Sequence, residues 1–166
     1  MSQFAERAAL AALLVGVVAP RALLAQDAQQ MTVQPEIRVE VMYSERQSSL
    51  HAGAGAQIPL GYYVRIGVIG AIGAPIGGDG GDASARIDLL GRFLFDPFRQ
   101  SRFGLSAGGG VSIRAERGER ARPLLLAAVD IEGRRTSAGI VPALQLGLGG
   151  GVRIGVALRW GAPRTR

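Results

Sequence analysis

From Ile37 onward apolar residues recur at every second position and never at helical spacing, so the chain reads as a series of β-strands with two unlike faces. The last segment is the clearest. Val152, Ile154, Val156, Leu158 and Trp160 share one face, with Arg153, Gly155, Ala157 and Arg159 on the other. Upstream, Val64, Ile66, Val68 and Ile72 oppose Tyr63, Arg65, Gly67 and Ala71. Ile87, Leu89, Phe93 and Phe95 oppose Arg86, Asp88, Arg92 and Asp96. Phe103, Leu105, Ala107, Val111 and Ile113 oppose Gly104, Ser106, Gly108, Gly110, Ser112 and Arg114. The first segment sets Ile37, Val39, Val41 and Tyr43 against Arg38 and Glu40.

Three segments alternate more weakly. In 50–60, alanines and Ile58 oppose His51, Gly53, Gly55 and Gln57. In 124–132, Ala127, Val129 and Ile131 oppose Asp130 and Glu132, and in 140–149, Leu144, Leu146 and Leu148 oppose Gln145, Gly147 and Gly149. Pro142 lacks an N–H and is expected at a strand start or a bulge. Eight strands of roughly 9–12 residues follow, against about 9–11 for a tilted membrane strand and about 5–6 for a strand of a soluble sheet. The breaks at 45–49, 61, 73–82, 96–102, 116–122, 132–137 and 149–151 are short enough to join antiparallel neighbours. The predicted fold is all-β, an eight-stranded antiparallel up-and-down transmembrane β-barrel spanning 37–160.

Alternation alone fits two opposite objects, a soluble barrel with its apolar face inward and a membrane barrel with that face outward. The polar face decides for the second. It alternates glycine with long arginines, a pairing of small and large that an eight-stranded lumen needs, because its interior barely holds its own side chains. Its charges nearly balance: Arg38, Arg65, Arg86, Arg92, Arg114, Arg153 and Arg159 meet Glu40, Asp88, Asp96, Glu116, Asp130 and Glu132. A lumen shielded from bulk water requires such pairing. With the chain entering from the periplasm, Tyr62, Phe95, Phe98, Phe103 and Trp160 fall at one end, as a belt of interfacial aromatics would, and Tyr43 stands alone at the other.

With its N-terminal signal, even strand count and last strand ending in Trp160, the chain resembles the small outer-membrane β-barrel family, porin-like proteins of eight strands. The resemblance covers 37–160. It implies that the pattern Val152, Ile154, Val156, Leu158 and Trp160 is what the barrel-assembly machinery reads, although a tail, 161–166, follows the aromatic. Outer-membrane lipid and lipopolysaccharide are then the expected surroundings of a monomer.

Residues 1–25 carry an arginine, an apolar run over 8–20 and Ala25 before a polar stretch, which are the parts of a secretory signal peptide. The run is too short for a membrane helix of about 20 residues. Cleavage is expected after Ala25, with Ala28 as the alternative, leaving 26–36 as a polar periplasmic lead-in. Of the 166 residues 48% are hydrophobic and 25 are glycine, but with only 8 prolines and no period of three the chain is neither collagen nor linker. The absence of cysteine excludes disulfide scaffolds and thiolate metal sites. The net charge of +6 is carried entirely by arginine, spread over turns and lumen. Without one basic face interleaved with stacking aromatics, nucleic-acid binding has no support.

Chemistry-bearing constellations are few, and no cofactor or metal site is expected. His51 is the only histidine, has Ser48, Ser49 and Glu45 nearby, and falls on the polar face with no serine spaced to sit beside it there. It is read as a satisfied lumen or rim side chain and not as a catalytic base. The stretch 77–82 resembles one copy of a calcium-binding glycine–aspartate repeat, and a single copy reads better as an exposed turn. Arg117, Arg120 and Arg122 could grip lipopolysaccharide phosphates bidentately, but Glu116 and Glu119 interleave with them. Arg99, Arg102, Arg134 and Arg135 fall in the opposite turns. The expected function is non-enzymatic: a structural or surface role in the envelope (integrity, attachment or a narrow pore). The alternatives are a soluble periplasmic barrel binding an apolar ligand and a barrel lipid-modifying enzyme.

Overall fold

The computed structural model describes residues 32–45, 47–77, 83–98, 100–116 and 119–160. The expected signal peptide, most of the lead-in, the 161–166 tail, Arg99, Arg117 and most of the glycine–aspartate stretch lie outside these residues. Eight strands follow in order: β1 Gln34–Tyr43, β2 Ser48–Leu60, β3 Val64–Pro75, β4 Ser84–Leu94, β5 Gly104–Glu116, β6 Arg122–Glu132, β7 Ile140–Leu148 and β8 Val152–Trp160. Each pairs antiparallel with its neighbours in sequence, and β8 returns to β1, so the sheet closes without an edge. No helix occurs among the described residues.

Register sets the tilt. Starting at Tyr43, the last residue of β1, paired positions run through Val152, Leu148, Ala127, Gly109, Gly91, Ile66 and Ile58. Ile58 lies beside Gln57, the partner of Gln34, the first residue of β1. One circuit of the wall therefore slips by nearly the whole ten-residue length of β1. A stagger of that size tilts the strands steeply and gives a narrow barrel filled by its own side chains.

The alternation faces as expected, polar side inward. Arg38, Glu40, Arg86, Asp88, Arg92, Asp130, Arg153 and Arg159 are buried, while Ile37, Val39, Ile87, Leu89, Ile154 and Val156 stand on the outer surface. The inner face also takes Ile69, Leu90, Leu126 and Ala128. These sit in runs such as Leu89–Leu90 and 124–128, where both faces are apolar, and only parity with the flanking charged positions reveals which side chain turns inward.

Two boundaries move. β1 starts at Gln34, so Glu36 is a buried lumen residue and not part of a lead-in. The third segment starts at Val64. Tyr63 belongs to the turn 61–63, is exposed, and stacks on Phe93 at 5.7 Å between ring centroids, where inward alternation had been expected. That turn is made possible by Gly61, whose φ of 77° few other residues adopt. Pro142 is the third residue of β7, where pairing to β6 begins only at Ala143. Its carbonyl accepts from Gly133 N at 2.7 Å, so its missing N–H points to where β6 has already ended and costs no ladder bond.

Inward glycines let the wall curl. A Cβ built on Gly110 would lie 1.9 Å from the Leu89 carbonyl oxygen, and one on Gly108 would lie 2.0 Å from that of Gly91. Gly53 and Gly55 face the backbone of β3 in the same way. Gly110→Ala must force β4 and β5 apart, and is expected to lower stability by about 1–3 kcal/mol, read as a reduced urea midpoint in detergent. Gly70→Ala on the outer face, where a Cβ meets nothing closer than 3.9 Å, is the control; it should change stability by no more than about 0.5 kcal/mol.

Candidate functional site: the lumen and its two ends

The lumen holds a charge lattice whose acids and arginines come from β1, β3, β4, β6 and β8, while β2 and β7 contribute neutral amides, Gln57 and Gln145, and β5 the hydroxyl of Ser112. Its centre is Arg159, fully buried. Its Nε donates to Glu36 at 2.8 Å, Nη1 to Glu132 at 2.7 Å and Nη2 to Asp130 at 2.6 Å. One planar guanidinium thereby joins β8 to β1 and β6, using the fork of donors that lysine lacks. Arg65 donates to Glu132 at 2.8 Å, the Arg92 Nε lies 2.8 Å from Asp130, and the Gln145 amide of β7 donates to Asp130 at 2.7 Å. Glu36 also accepts from Arg38 Nε at 2.9 Å and from Gln57.

From Glu36 the chain of pairs continues toward the other end. Arg38 lies 3.8 Å from Glu40, Glu40 pairs with Arg86, and Arg86 Nε donates to Asp88 at 3.2 Å. Arg153 bonds Asp88 at 3.1 Å and Ser112 at 3.0 Å, and its Nε reaches the Gly149 carbonyl at 2.9 Å, lashing the β7–β8 turn to the lumen wall. Five acids (Glu36, Glu40, Asp88, Asp130 and Glu132) and five arginines (Arg38, Arg86, Arg92, Arg153 and Arg159) are buried together, so the fully buried set is neutral, with the part-buried Arg65 attached at its edge. The pairs form a single connected lattice.

Among the residues expected in the lumen, Arg114 lies near the rim, pairs with Glu116 at 2.8 Å, and has its Nη1 3.7 Å from the Met42 sulfur. Asp96 does not belong to the lattice. It lies past the end of β4 in the turn 95–103, where its carboxylate accepts from the backbone N–H of Gln100 at 3.0 Å and of Ser101 at 2.6 Å. Alternation had been carried one turn too far, because parity means nothing once the strand has stopped. Glu36, Gln57 and Gln145 were missing from the expected network. Glu36 has the parity of Arg38 and Glu40, and that was the available signal.

His51 is buried as expected, but a serine does sit beside it. Ser49, two residues earlier and so on the same face, places its Oγ 2.9 Å from His51 Nε2. The imidazole lies flat over Gly73, its cross-strand partner, where a Cβ would come within 2.4 Å of the ring.

Aromatic side chains collect at the end where β1 begins and β8 finishes. Tyr62, Phe95, Phe98, Phe103 and Trp160 are all exposed there, joined by Tyr63 and Phe93. Tyr62–Phe98 and Phe93–Phe95 contacts of 5.6 Å make much of this a continuous patch. The Arg102 guanidinium lies 5.9 Å from the Phe103 ring centre. Tyr43 stands at the opposite end, exposed and without a described ring neighbour.

Comparison with solved structures agrees with this architecture. A de novo designed transmembrane β-barrel superimposes with a TM-score of 0.55 at 12% identity, covering 76% of this chain and 93% of the design. The crystal structure of Neisserial surface protein A gives 0.53 at 13% identity, covering 77% and 94%. A second design, TMB2.3, solved by solution NMR, gives 0.52 at 12% identity, covering 82% and 99%. Identities this low establish shared fold only: an eight-stranded barrel of transmembrane type. No protein-family model and no curated protein matches the sequence.

Arg159→Leu removes the cation on which Glu36, Asp130 and Glu132 converge. It is expected to cost about 3–5 kcal/mol, the penalty for stranding buried charge. Arg122→Leu breaks only an exposed pair with Glu119 and should cost no more than about 1 kcal/mol. Urea unfolding of both variants in detergent, followed by tryptophan fluorescence, separates the two.

Proposed function

We propose that this protein is a non-enzymatic outer-membrane β-barrel with a structural or surface-interaction role, its termini in the periplasm and the four opposite loops outside the cell. One observation carries the reading: the wall is inverted, with ten charged side chains buried inside it and an apolar band outside it. Such a band would be an aggregation surface in water and is what a bilayer requires. The aromatic collar around Tyr62, Phe98 and Trp160 matches an interface with lipid headgroups. A soluble carrier of apolar ligands needs an apolar lumen, the reverse of this arrangement.

The charge lattice bears on the narrow-pore version of the role. Arg159 and its three carboxylates fill one level of the lumen and the Arg86, Asp88 and Arg153 group another, with the ion-pair chain between them. Side chains tied to opposite walls at two heights act as a plug. Structural support or attachment is accordingly preferred to conduction. A non-enzymatic role is supported by an interior committed to pairing its own charges. The signal peptide over 1–25, insertion by the barrel-assembly machinery, contact with lipopolysaccharide and a monomeric state belong to this proposal.

Membrane fractionation followed by gel electrophoresis of heated and unheated samples tests it. The protein is expected in the outer-membrane fraction, extracted only by detergent, with a band whose mobility changes on boiling. A detergent-independent, heat-insensitive protein would overturn the reading. Planar-bilayer recordings of the refolded barrel should show no sustained open level, and a stable conductance would replace the plug with a pore.

A further inference from the structure

At the end opposite the start of β1 the lumen opens into a polar cleft of about 190 Å³. Ser49 and Ser84 are its buried members, Arg114 and Glu116 line its side, and Gln47 and Glu119 stand at its exposed rim. Among the described residues its charges cancel locally. Arg114 pairs with Glu116 at 2.8 Å, and Glu119 pairs with Arg122 at 3.1 Å. What it offers a ligand is hydroxyl, amide and guanidinium donors beside carboxylate acceptors, with the ring of Pro75 as an apolar wall.

The pair beneath the cleft fixes how Ser49 presents itself. His51 Nε2 meets Ser49 Oγ, while Nδ1 is buried with no hydrogen-bond partner. An orphaned N–H is the costlier orphan, and a bare ring lone pair the cheaper one. The favoured tautomer therefore carries its proton on Nε2 and donates it to Ser49. Ser49 keeps its own proton, makes no other hydrogen bond within the described protein, and is free to donate into the cleft. The same tautomer withholds the base that a serine nucleophile would need. Recognition, and not hydrolysis, is what this arrangement provides. Arg114, which lines the same cleft, sets a guanidinium beside that hydroxyl.

We propose that this cleft binds one neutral sugar ring, through Ser49, Arg114 and the rim carboxylates and amide. Cancelled charge disfavours an ion, which would meet repulsion from either Arg114 or the two glutamates. Mixed donors and acceptors suit vicinal hydroxyls, each of which gives and takes a hydrogen bond. The volume is below the ~300–1,000 Å³ of pockets for drug-sized ligands, so it takes a single ring. The sugar can come from lipopolysaccharide around the barrel or from free saccharide.

The test is titration of the whole protein in detergent micelles with methyl glucoside and N-acetylglucosamine, with inorganic phosphate and acetate as ionic probes, read by saturation-transfer NMR. Saturable, millimolar binding of a sugar but not of the ions is expected. Ser49→Ala should weaken it about threefold to tenfold, the loss of one hydrogen bond. Gln47→Ala, on the exposed rim where folding is not at stake, should weaken it by a similar or smaller factor. Arg134→Gln, at the other end, should leave it unchanged. No saturable sugar signal, preference for phosphate or acetate, or sugar binding untouched by both cleft variants overturns the proposal. In vesicles containing lipopolysaccharide, loss of the free-sugar signal identifies the surrounding lipid as the source, and its persistence identifies soluble sugar. Because these titrations are made in micelles, a negative result leaves the outer-membrane reading standing, and only fractionation can remove that.

Discussion

Internal charge neutrality is the constraint on which the rest of this structure depends. An outer surface made of valine, isoleucine and leucine leaves every polar side chain only one place to go, the lumen, where a charge without a partner costs several kcal/mol. Five buried acids and five buried arginines meet that demand, and they do so as a lattice and not as separate pairs. Arg159 is the reason. By holding carboxylates from β1 and β6 at once, it makes the closure of β8 onto β1 and the placement of β6 parts of one electrostatic event. Strand pairing closes the backbone, and the lattice says which side chains must be level when it does.

Volume is the second half of the same constraint. A narrow barrel cannot hold ten long charged side chains unless other inward positions give up theirs. Gly53, Gly55, Gly108, Gly110 and Gly155 do so, and their hydrogens lie where a methyl would strike neighbouring backbone. Gly67 makes the exchange explicit, since its missing Cβ would fall 3.3 Å from Arg92 Nη1 and 3.3 Å from a Gln57 methylene. Glycine thus has a single cause on the inner face, room and curvature for arginine, and the choice of arginine over lysine follows from the need to bridge several carboxylates per cation.

Most of the wall was legible in the sequence because period-two alternation is the projection of this one inside–outside division. The eight strands, their order and the inward turn of the arginines could be read from parity alone. Parity failed where its premise failed. Asp96 and Tyr63 keep the rhythm of their strands but stand beyond the last paired residues, where loop hydrogen bonds and ring stacking decide direction. Glu36 was overlooked for the opposite reason. It belongs to the rhythm, but polar Gln34 and the strand-breaking Pro35 before it disguise the start of β1. Ser49 beside His51 is parity again, two residues apart on one face, hidden by a break placed across 45–49. The pairing of specific acids with specific arginines was beyond reading, because it depends on the stagger that brings positions more than a hundred residues apart to one level.

A plugged lumen and an apolar wall leave only the two ends able to recognise anything, and the ends are unlike. The end where β1 begins gathers Tyr62, Tyr63, Phe93, Phe95 and Phe98 into one patch with Arg102 nearby, groups that suit an interface of headgroups and offer little shape to a discrete ligand. The opposite end has Tyr43 as its exposed aromatic among the described residues and instead presents hydroxyls, an amide and compensated charges around an opening. On the proposed reading, lipid anchorage and recognition fall to different ends of one lattice. That separation is possible because the lattice bears the load between them: the collar can be as greasy as the bilayer demands while the mouth stays polar, since neither has to hold the barrel closed.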